Sequence, residues 1–496
     1  METPINYLIT GIAAAAVASG FYVASRTPSS RAKKAGAKLP PGPNNFLLGA
    51  LHTFPQHHWY ETFTQWQQEF GDLVYIDLSV AGVTMLIVNS LEVAEELAGK
   101  RKIYSNRPHT TLINDLMYAD WTITMQHDGP IFQEQRRILH KCLSPAASAE
   151  HDYLVREHVA SFVQTISGKT VDPFEALTDG IGPILTILSY GENYDRDHGE
   201  EYRKVSLESI ELVATTFTKF WAVDLLPILK YVPTWFPGAE FRRIGVLATS
   251  MVKKLRFEPL AYIENALGKG NADRSFVTTL LQDQSFTKEN IRDVITVMHS
   301  SGVDTTASSI TNLLYYMAMH PECQKLVHKE LDELVGKGVV PSFAEIQQLP
   351  YLNAVWKEGL RLRPPVPLGI PHVASEEDVW NGFYIPKGCL VHCNIGFMMR
   401  DPRIWGEDSE LFKPDRFLDP NAKDLPDPTN TTFGFGRRIC PGRFFAHREA
   451  LQFIAAIFAS FKVLPGQGVN LSDLIFEGTV QRPVNFRCRF EPRHGS

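Results

Sequence analysis

The chain has 496 residues, of which 44% are hydrophobic and 21% charged, a balance typical of a globular protein with a large core. Its formal net charge of −6 leaves no basic excess to neutralise phosphates, which argues against nucleic acid as a partner. The six cysteines lack the spacing of a disulfide framework, which favours a reducing compartment.

The N-terminal segment predicts a membrane anchor. Residues 3–25 carry no charge, and the run is long enough to cross about 30 Å of hydrocarbon as a helix. Basic residues without any acid follow it up to Lys38, whereas a cleaved signal peptide carries its basic residues before the apolar run. We therefore expect a single-pass anchor over residues 1–26 in the endoplasmic reticulum membrane, with the catalytic domain cytoplasmic.

The rest of the chain predicts one large body behind a short hinge. Residues 27–45 are basic and proline-rich, and they include the stiff stretch LPPGP at 39–43. No later stretch has the composition of a linker, and there is no internal repeat. Residues 46–496 are therefore predicted to form a single catalytic domain.

Strand patterns occur early and late, and the middle of the chain is helical. LVYIDL (73–78) and VTMLIVN (83–89) predict a hairpin, and GFYIPKGCLVHCN (382–394) predicts a second strand pair around its Pro-Lys-Gly turn. The longest helix is predicted over 288–319, capped by Thr287, with a length of about 48 Å. The fold class is thus mainly α with a small β region.

A lone cysteine, Cys440, lies in the stretch TTFGFGRRICPGRFFAH (431–447). Zinc sites and iron–sulfur clusters need several ligands of this kind, whereas an axial thiolate to haem iron needs one cysteine only. A catalytic nucleophile stays open as an alternative. The glycines of the stretch allow close backbone approach, and Pro441 suits the first turn of a helix. Arg438 offers a guanidinium that matches a carboxylate.

The pattern Phe433-x-x-Gly436-x-Arg438-x-Cys440-x-Gly442 resembles the haem-binding signature of the cytochrome P450 monooxygenases. The resemblance implies the cytochrome P450 fold and haem b with Cys440 as its axial iron ligand. It also implies electrons from NADPH, delivered by NADPH–cytochrome P450 reductase. A docking patch for that flavoprotein is predicted from four basic residues, Arg137, Lys141, Arg443 and Arg448.

Two further motifs resemble those of the same family. Glu358-Gly-Leu-Arg361, completed by Arg416 in FKPDRF, is similar to its buried structural network; Asp415 replaces the usual glutamate there and is given no role. In the long helix, the stretch SSGVDTTASS is similar to the family's oxygen-activation groove.

The resemblance gives residues of that groove their roles. It implies that Gly302 makes room for dioxygen and that Thr305 hydrogen-bonds the bound oxygen, while Asp304 passes protons inward. Many relatives have alanine where this chain has Ser301.

Two positions resemble those that bind the haem propionates in the family. FQEQRR (132–137) is similar to the helix that supplies a tryptophan and an arginine, with Phe132 in place of the tryptophan and Arg136 retained. His372, in PLGIPH, matches a second propionate-binding position.

The substrate is predicted from segments that line the pocket in relatives. They contribute mostly apolar side chains, which select a lipophilic ligand, so we expect a terpenoid. Asp115 and Asp120 favour the alternative of an aromatic or amine-bearing metabolite. The expected pocket residues are Leu112, Met117, Phe217, Val297, Val366, Leu368, Ile370, Phe476 and Val480.

Residues 220–243 resemble fungal members of the family, in the basidiomycete group related to O-methylsterigmatocystin oxidoreductase, many of which serve secondary metabolism. A haem-thiolate isomerase or dehydratase and a non-catalytic haem sensor are the remaining alternatives. The Asp304–Thr305 pair argues against the first, and the absence of residues for an output module argues against the second.

Overall fold

A computed structural model describes residues 27–44, 50, 53–55, 59–78, 82–217, 221–420 and 422–494. The predicted membrane anchor, residues 1–26, lies outside the described residues. Within the described ranges, no helix has both the length and the apolar character that a bilayer crossing requires.

Helices make up most of the described chain. In chain order they are Pro28–Lys34, Trp59–Phe70, Leu91–Ala94, Pro130–Leu143, Pro145–Ala149, Asp152–Ile166, Pro173–Tyr190, Glu192–Thr216, Ala222–Leu225, Glu240–Gly268, Phe276–Asp283, Lys288–Met319, Pro321–Val335, Phe343–Ile346, Pro350–Leu362, Ile395–Met398, Pro402–Trp405, Pro428–Thr431 and Arg443–Ser460. Wider π-helical turns occur at Glu95–Lys100 and Thr111–Leu116. Short 3₁₀ turns occur at Lys102–Tyr104, Pro227–Tyr231, Pro414–Phe417, Ala422–Asp424, Gly436–Arg438 and Leu471–Asp473.

The strands are short and few by comparison, as the sequence predicts. They are Leu73–Leu78, Val83–Val88, Thr170–Val171, His372–Val373, Asp378–Trp380, Phe383–Ile385, Leu390–Cys393, Phe461–Pro465, Phe476–Glu477, Arg482–Pro483 and Cys488–Pro492.

Contacts within the chain define two compact units. The sheet unit consists of the described residues of Met1–Pro55, Glu61–Pro108 and Pro371–Cys393, and the helical unit consists of the rest. Strand pairing brings segments that are distant along the chain into one sheet of the first unit. The single catalytic domain over 46–496 stays a prediction.

The sheet unit contains a four-stranded sheet. Leu73–Leu78 and Val83–Val88 form the predicted antiparallel hairpin, with Leu73 opposite Val88. Leu390–Cys393 lies parallel to Val83–Val88, and His372–Val373 completes the sheet beside it.

The predicted strand pair within 382–394 is wrong, because its two strands pair elsewhere. Phe383–Ile385 pairs with the preceding strand Asp378–Trp380. The turn between them is Asn381-Gly382, and both residues have positive φ, 49° and 77°. Asn-Gly is the preferred two-residue turn of a β-hairpin, so it directs Phe383–Ile385 back onto the strand before it. Leu390–Cys393 is left to join the other sheet.

The predicted hinge is bonded to the sheet unit. The Lys38 carbonyl accepts the Tyr384 N–H at 2.8 Å, and the Pro41 carbonyl accepts the Tyr75 N–H at 2.8 Å. Two residues of the predicted hinge are thus hydrogen-bonded to strands of this unit. The domain boundaries at 26 and 45 stay a prediction.

The long helix organises the helical unit. It spans Lys288–Met319, as predicted, and packs against helices Pro173–Tyr190 and Glu192–Thr216. Thr287 occupies the N-cap position, but its side chain donates to Glu134 at 2.9 Å instead of capping the helix. An added Cβ at Gly302 would lie 2.8 Å from Leu185 Cδ1, so the close contact between two of these helices favours glycine there.

A buried histidine links three helices of this unit. His299 has no exposed surface, and its ring nitrogens hydrogen-bond Thr186 Oγ1 and Ser206 Oγ, each at 3.1 Å. Burial lowers its pKa from 6.5 to about 3. The folded protein therefore keeps His299 neutral where an unfolded chain would protonate it.

This histidine predicts acid sensitivity. Between about pH 6.5 and pH 3 the unfolded state binds one more proton at His299 than the folded state, so stability falls as pH falls. At pH 5 the loss is roughly 2 kcal/mol from this group. The drop in melting temperature between about pH 7.5 and pH 5 should be smaller in His299→Gln. The exposed His198→Gln is the control, and equal drops in all three proteins would contradict the prediction.

Candidate active site

Cys440 lies in a tight loop in front of the helix Arg443–Ser460. Its backbone N–H donates to the Phe433 carbonyl at 2.8 Å, which closes the loop. Gly434 and Gly436 have φ of +82° and +51°, a backbone conformation that side chains disfavour. The sequence stretch thus folds as a loop that holds one partly buried thiol.

The surroundings of the thiol act on its charge in opposite directions. Burial raises the pKa of Cys440, while the N–H of Gly442 and the guanidinium groups of Arg136 and Arg443 lower it. Arg136 donates to the carbonyl of Ile439 beside the cysteine, and Arg443 donates to the Cys440 carbonyl at 3.3 Å. A metal ion at the sulfur would supply the positive charge that stabilises the thiolate fully.

Arg438 and Phe132 form a second feature of the site. The guanidinium of Arg438 lies over the Phe132 ring, 3.9 Å from its centroid, and donates to the Gln126 carbonyl at 2.6 Å. Burial lowers the pKa of Arg438 to about 10, and the charge of Asp128 opposes that shift. A half-buried guanidinium beside the cysteine loop suits a carboxylate of a bound group.

His372 belongs to the sheet unit. Its Nδ1 lies 2.6 Å from the Tyr104 carbonyl, and its backbone pairs with Val391 in the four-stranded sheet. Its role towards a propionate stays a prediction.

The structure brings Glu358, Arg361 and Arg416 together. Glu358 accepts two hydrogen bonds from Arg361, at 2.8 and 2.9 Å, and one from Arg416 at 3.1 Å. The Lys413 N–H adds a fourth at 2.8 Å. Glu358 and Arg361 have no exposed side-chain surface. Removing one partner from such a pair costs about 3–5 kcal/mol, because a charge is left buried and unpaired.

This network also includes an acid that the sequence analysis missed. Asp408 Oδ1 accepts from Arg416 at 3.2 Å, whereas within the described ranges no such bond is found between Arg416 and the Asp415 side chain. Arg361 further donates to the carbonyls of Met399 and Ser409, at 2.8 and 2.6 Å. The helix Pro350–Leu362 is thus fastened to the segment that precedes the cysteine loop.

Asp304 and Thr305 occupy the middle of the long helix. Thr305 Oγ1 donates to the Ser301 carbonyl at 2.7 Å, a bond that tends to bend a helix. Asp304 is 4% exposed, and burial raises its pKa to about 6, while the charge of Arg482 opposes that shift. Its carboxyl therefore takes up and gives off a proton near neutral pH, as a proton donor requires.

Arg482 is a second residue that the sequence analysis missed. Its Nη1 lies 3.6 Å from Asp304 Oδ1, and its Nη2 donates to Glu211 at 3.2 Å. No local pattern connects the C-terminal strand that carries Arg482 with the long helix, so only tertiary structure reveals the contact.

The predicted pocket residues have different surroundings. Leu112, Met117 and Phe217 pack in one apolar cluster of the helical unit, and Val297 and Phe476 pack in the other. Four are partly buried and belong to neither cluster: Val366, Leu368, Ile370 and Val480.

Two of the four predicted docking cations are already paired. Lys141 pairs with Asp283, and Arg448 pairs with Asp152. Partial neutralisation by these acids weakens the positive field that the sequence predicts for this patch.

Comparisons with known proteins identify the family. A family model described as cytochrome P450 matches residues 39–490. The chain belongs to the cytochrome P450 family. It therefore uses a haem whose iron is bound by a cysteine thiolate, with electrons supplied from NADPH by a reductase. That Cys440 is this cysteine stays a prediction.

Several relatives are fungal monooxygenases. Cytochrome P450 monooxygenase COX2 of Coprinopsis cinerea is 32% identical over 508 residues, covering 99% of this chain and 95% of that protein. COX1 of the same fungus is 30% identical, covering 97% and 96%. Cytochrome P450 monooxygenase ple1 of Rhodocybe pseudopiperita is 30% identical, covering 93% and 91%. The chain is thus an oxidoreductase, a cytochrome P450 monooxygenase.

A solved structure confirms the fold. A zebrafish cytochrome P450, solved with progesterone, matches 87% of this chain and 99% of its own at a TM-score of 0.71 and 22% identity. The predicted fold, mainly α with a small β region, is confirmed.

The residues present fit a haem. The loop offers one thiol, two nearby guanidinium groups and the N–H of Gly442. Among the described residues there is no cluster of three or more histidines, cysteines or acids that would hold a metal in another way.

Haem ligation by Cys440 predicts a spectroscopic loss. The reduced, carbon monoxide-bound protein should absorb at the long-wavelength Soret position of thiolate-bound haem. Cys440→His should lose that band because the sulfur ligand is gone. Cys323→Ala removes a buried thiol elsewhere and should keep the band. A normal band in Cys440→His would identify a different ligand.

Proposed function

We propose that this monooxygenase hydroxylates an unactivated carbon of a terpenoid or a similar lipophilic scaffold in fungal secondary metabolism. In the overall reaction, substrate, dioxygen, NADPH and one proton give the alcohol, water and NADP⁺. The haem supplies the oxygen-activating chemistry when it is bound, and the chain positions the substrate, delivers protons and excludes water.

The roles of the site residues come from the family resemblance, and their contacts support them. Cys440 would bind the haem iron, in a loop that its N–H closes by donating to the Phe433 carbonyl. Arg438 would supply a cation to a propionate, and the Phe132 ring lies against one face of its guanidinium. Arg136 stays predicted to reach a propionate; in the structure its guanidinium donates to the Ile439 carbonyl and lowers the pKa of Cys440.

The proton-handling groups lie on the long helix. Burial raises the pKa of Asp304 to about 6, so its carboxyl exchanges a proton just below neutral pH, and Thr305 follows it directly in the helix. A side chain at Gly302 would be directed at Leu185. The role of Gly302 in making room for dioxygen therefore rests on the family resemblance.

The observation that carries the substrate class is the pairing of Asp115. Its carboxylate lies 2.9 Å from Lys230 Nζ and 3.2 Å from His109 Nε2. A substrate amine would have to displace Lys230 from this carboxylate, which disfavours the amine-bearing alternative. Asp120 is exposed, and the other expected pocket residues are apolar, so an apolar ligand is favoured.

The substrate class predicts the outcome of a ligand titration. Sesquiterpenes or diterpenes should shift the Soret band of the oxidised holoenzyme to shorter wavelength, while aromatic amines of similar size should not. Asp115→Asn and Asp120→Asn should leave the terpenoid response unchanged. A response to amines alone, abolished by either substitution, would overturn the terpenoid proposal.

The proposed location is the endoplasmic reticulum membrane, through the apolar run at 3–25. A stretch of the helical unit supports it, because it carries several exposed large apolar side chains, which we name the 226–247 patch. Arg242 and Arg243 lie in the same stretch and suit anionic headgroups. The patch consists of Leu226, Ile228, Tyr231, Trp235, Phe236, Val246 and Leu247, exposed by 48–77%.

The apolar run at 3–25 and the 226–247 patch together predict that the protein leaves membranes in two steps. Deleting residues 1–26 should leave a fraction bound to vesicles, because the 226–247 patch still buries apolar surface. Adding Ile228→Ser, Tyr231→Ser and Trp235→Ser should release that fraction.

The control places serine at exposed apolar residues elsewhere, Tyr153 and Leu411, which are 69% and 61% exposed. This control should bind as the deletion alone does. Undiminished binding of the triple variant, or equal release by the control, would contradict a role for the patch.

A further inference from the structure

Three charged side chains of the helical unit form a line from solvent to the interior. The exposed fraction of the side chain falls from 68% at Glu211 to 24% at Arg482 and 6% at Asp304. Arg482 lies between the two acids, 3.2 Å from Glu211 and 3.6 Å from Asp304. The line therefore ends at the carboxyl that precedes Thr305 in the long helix.

Arg482 is held in place from several sides. Its guanidinium lies 3.7 Å from the centroid of the Phe174 ring. The carbonyl of the preceding residue, Gln481, accepts from Asn312 of the long helix at 3.0 Å. Thr479 Oγ1 donates to the Ala214 carbonyl at 2.7 Å, which ties the same turn to helix Glu192–Thr216. These contacts fix the guanidinium beside Asp304.

We propose that Glu211 and Arg482 form the solvent end of the path by which protons reach Asp304, with Arg482 as a positioning residue. The proposal rests on the monooxygenase function, in which two protons are consumed for each dioxygen reduced to the level of water and alcohol. Arg482 itself stays charged, because a guanidinium does not give up its proton in this pH range. Its part is to orient the Asp304 carboxyl towards the water-accessible side and to set its charge.

The charged groups around Asp304 act in known directions. Arg482 lowers the pKa of Asp304 and Glu211 raises it. Glu477 lies opposite Arg482 in the strand pair Phe476–Glu477 and Arg482–Pro483. Helix Pro173–Tyr190 contacts Arg482 through the apolar ring of Phe174. The same helix carries Asp179, whose pKa is raised by burial and lowered by the charge of Arg203.

Opposite shifts of a pH profile are the expected signature. The product formed per NADPH should fall at high pH, where Asp304 has lost its proton. We call this fall the alkaline limb of the pH profile. Arg482→Gln removes the charge that lowers the Asp304 pKa, so this limb should move to higher pH, by about one unit for an ion pair at such distance. Glu211→Gln removes the charge that raises it, so the limb should move to lower pH by less, because Glu211 is exposed.

The experiment measures NADPH consumed, product and hydrogen peroxide for the holoenzyme with reductase between about pH 5.5 and pH 9. Any substrate that gives a Soret shift serves, so a wrong substrate class leaves this test intact. Asp304→Asn should remove the limb and raise peroxide per NADPH. Arg482→Lys should keep the limb near its original position, since the charge is retained.

Matched controls separate charge from packing. Glu201 lies on the same helix as Glu211, is 69% exposed and pairs with Lys254, so Glu201→Gln should leave the limb in place. Equal shifts in Arg482→Gln and Arg482→Lys would assign the effect to packing on Phe174 and overturn the proposal. Shifts of Arg482→Gln and Glu211→Gln in the same direction would overturn it as well.

Discussion

The buried carboxylate of Glu358 is the contact on which the arrangement of the helical unit depends. It accepts hydrogen bonds from the guanidinium groups of Arg361 and Arg416 and from the backbone N–H of Lys413. Because no water reaches Glu358, each of these donors has to arrive in the right geometry for the charge to be tolerated. One helix and the long segment from Met399 to Phe417 are thereby fixed to each other before the chain reaches the cysteine loop.

Burial acts in the same direction on two titratable groups of the site, Cys440 and Asp304. It raises the pKa of both, and nearby positive charge opposes it at each: Arg136 and Arg443 at the thiol, and Arg482 at the carboxyl. The protein alone thus favours the protonated form of each group more than water does. At the sulfur, a bound metal ion would supply the positive charge that the thiolate needs, whereas the acid exchanges its proton near pH 6 without one.

The sequence allows those parts of the site to be predicted whose residues are close together along the chain. The loop from Phe433 to Gly442 and the Glu358–Arg361 pair at one helical turn are of this kind. Arg416 is found only because the family resemblance points to it. Arg482 belongs to no motif, and its place beside Asp304 follows from packing of the C-terminal strand on the long helix.

The fold shows the same division between local and distant information. The limits of Lys288–Met319 follow from Thr287 before it and Pro321 after it, whereas the partner of Leu390–Cys393 does not follow from local pattern. The Pro-Lys-Gly turn predicts one hairpin and Asn381-Gly382 another, and the structure forms the second, which has the stronger hairpin signal.

The contact between Gly302 and Leu185 has a consequence for the evolution of the family. The space that a side chain at position 302 would need is filled by the end of Leu185. An alanine at the first position fits once the flexible end of the leucine turns aside. A larger residue there also needs a smaller one at the second position, so the separation of the two helices sets how far either position can change.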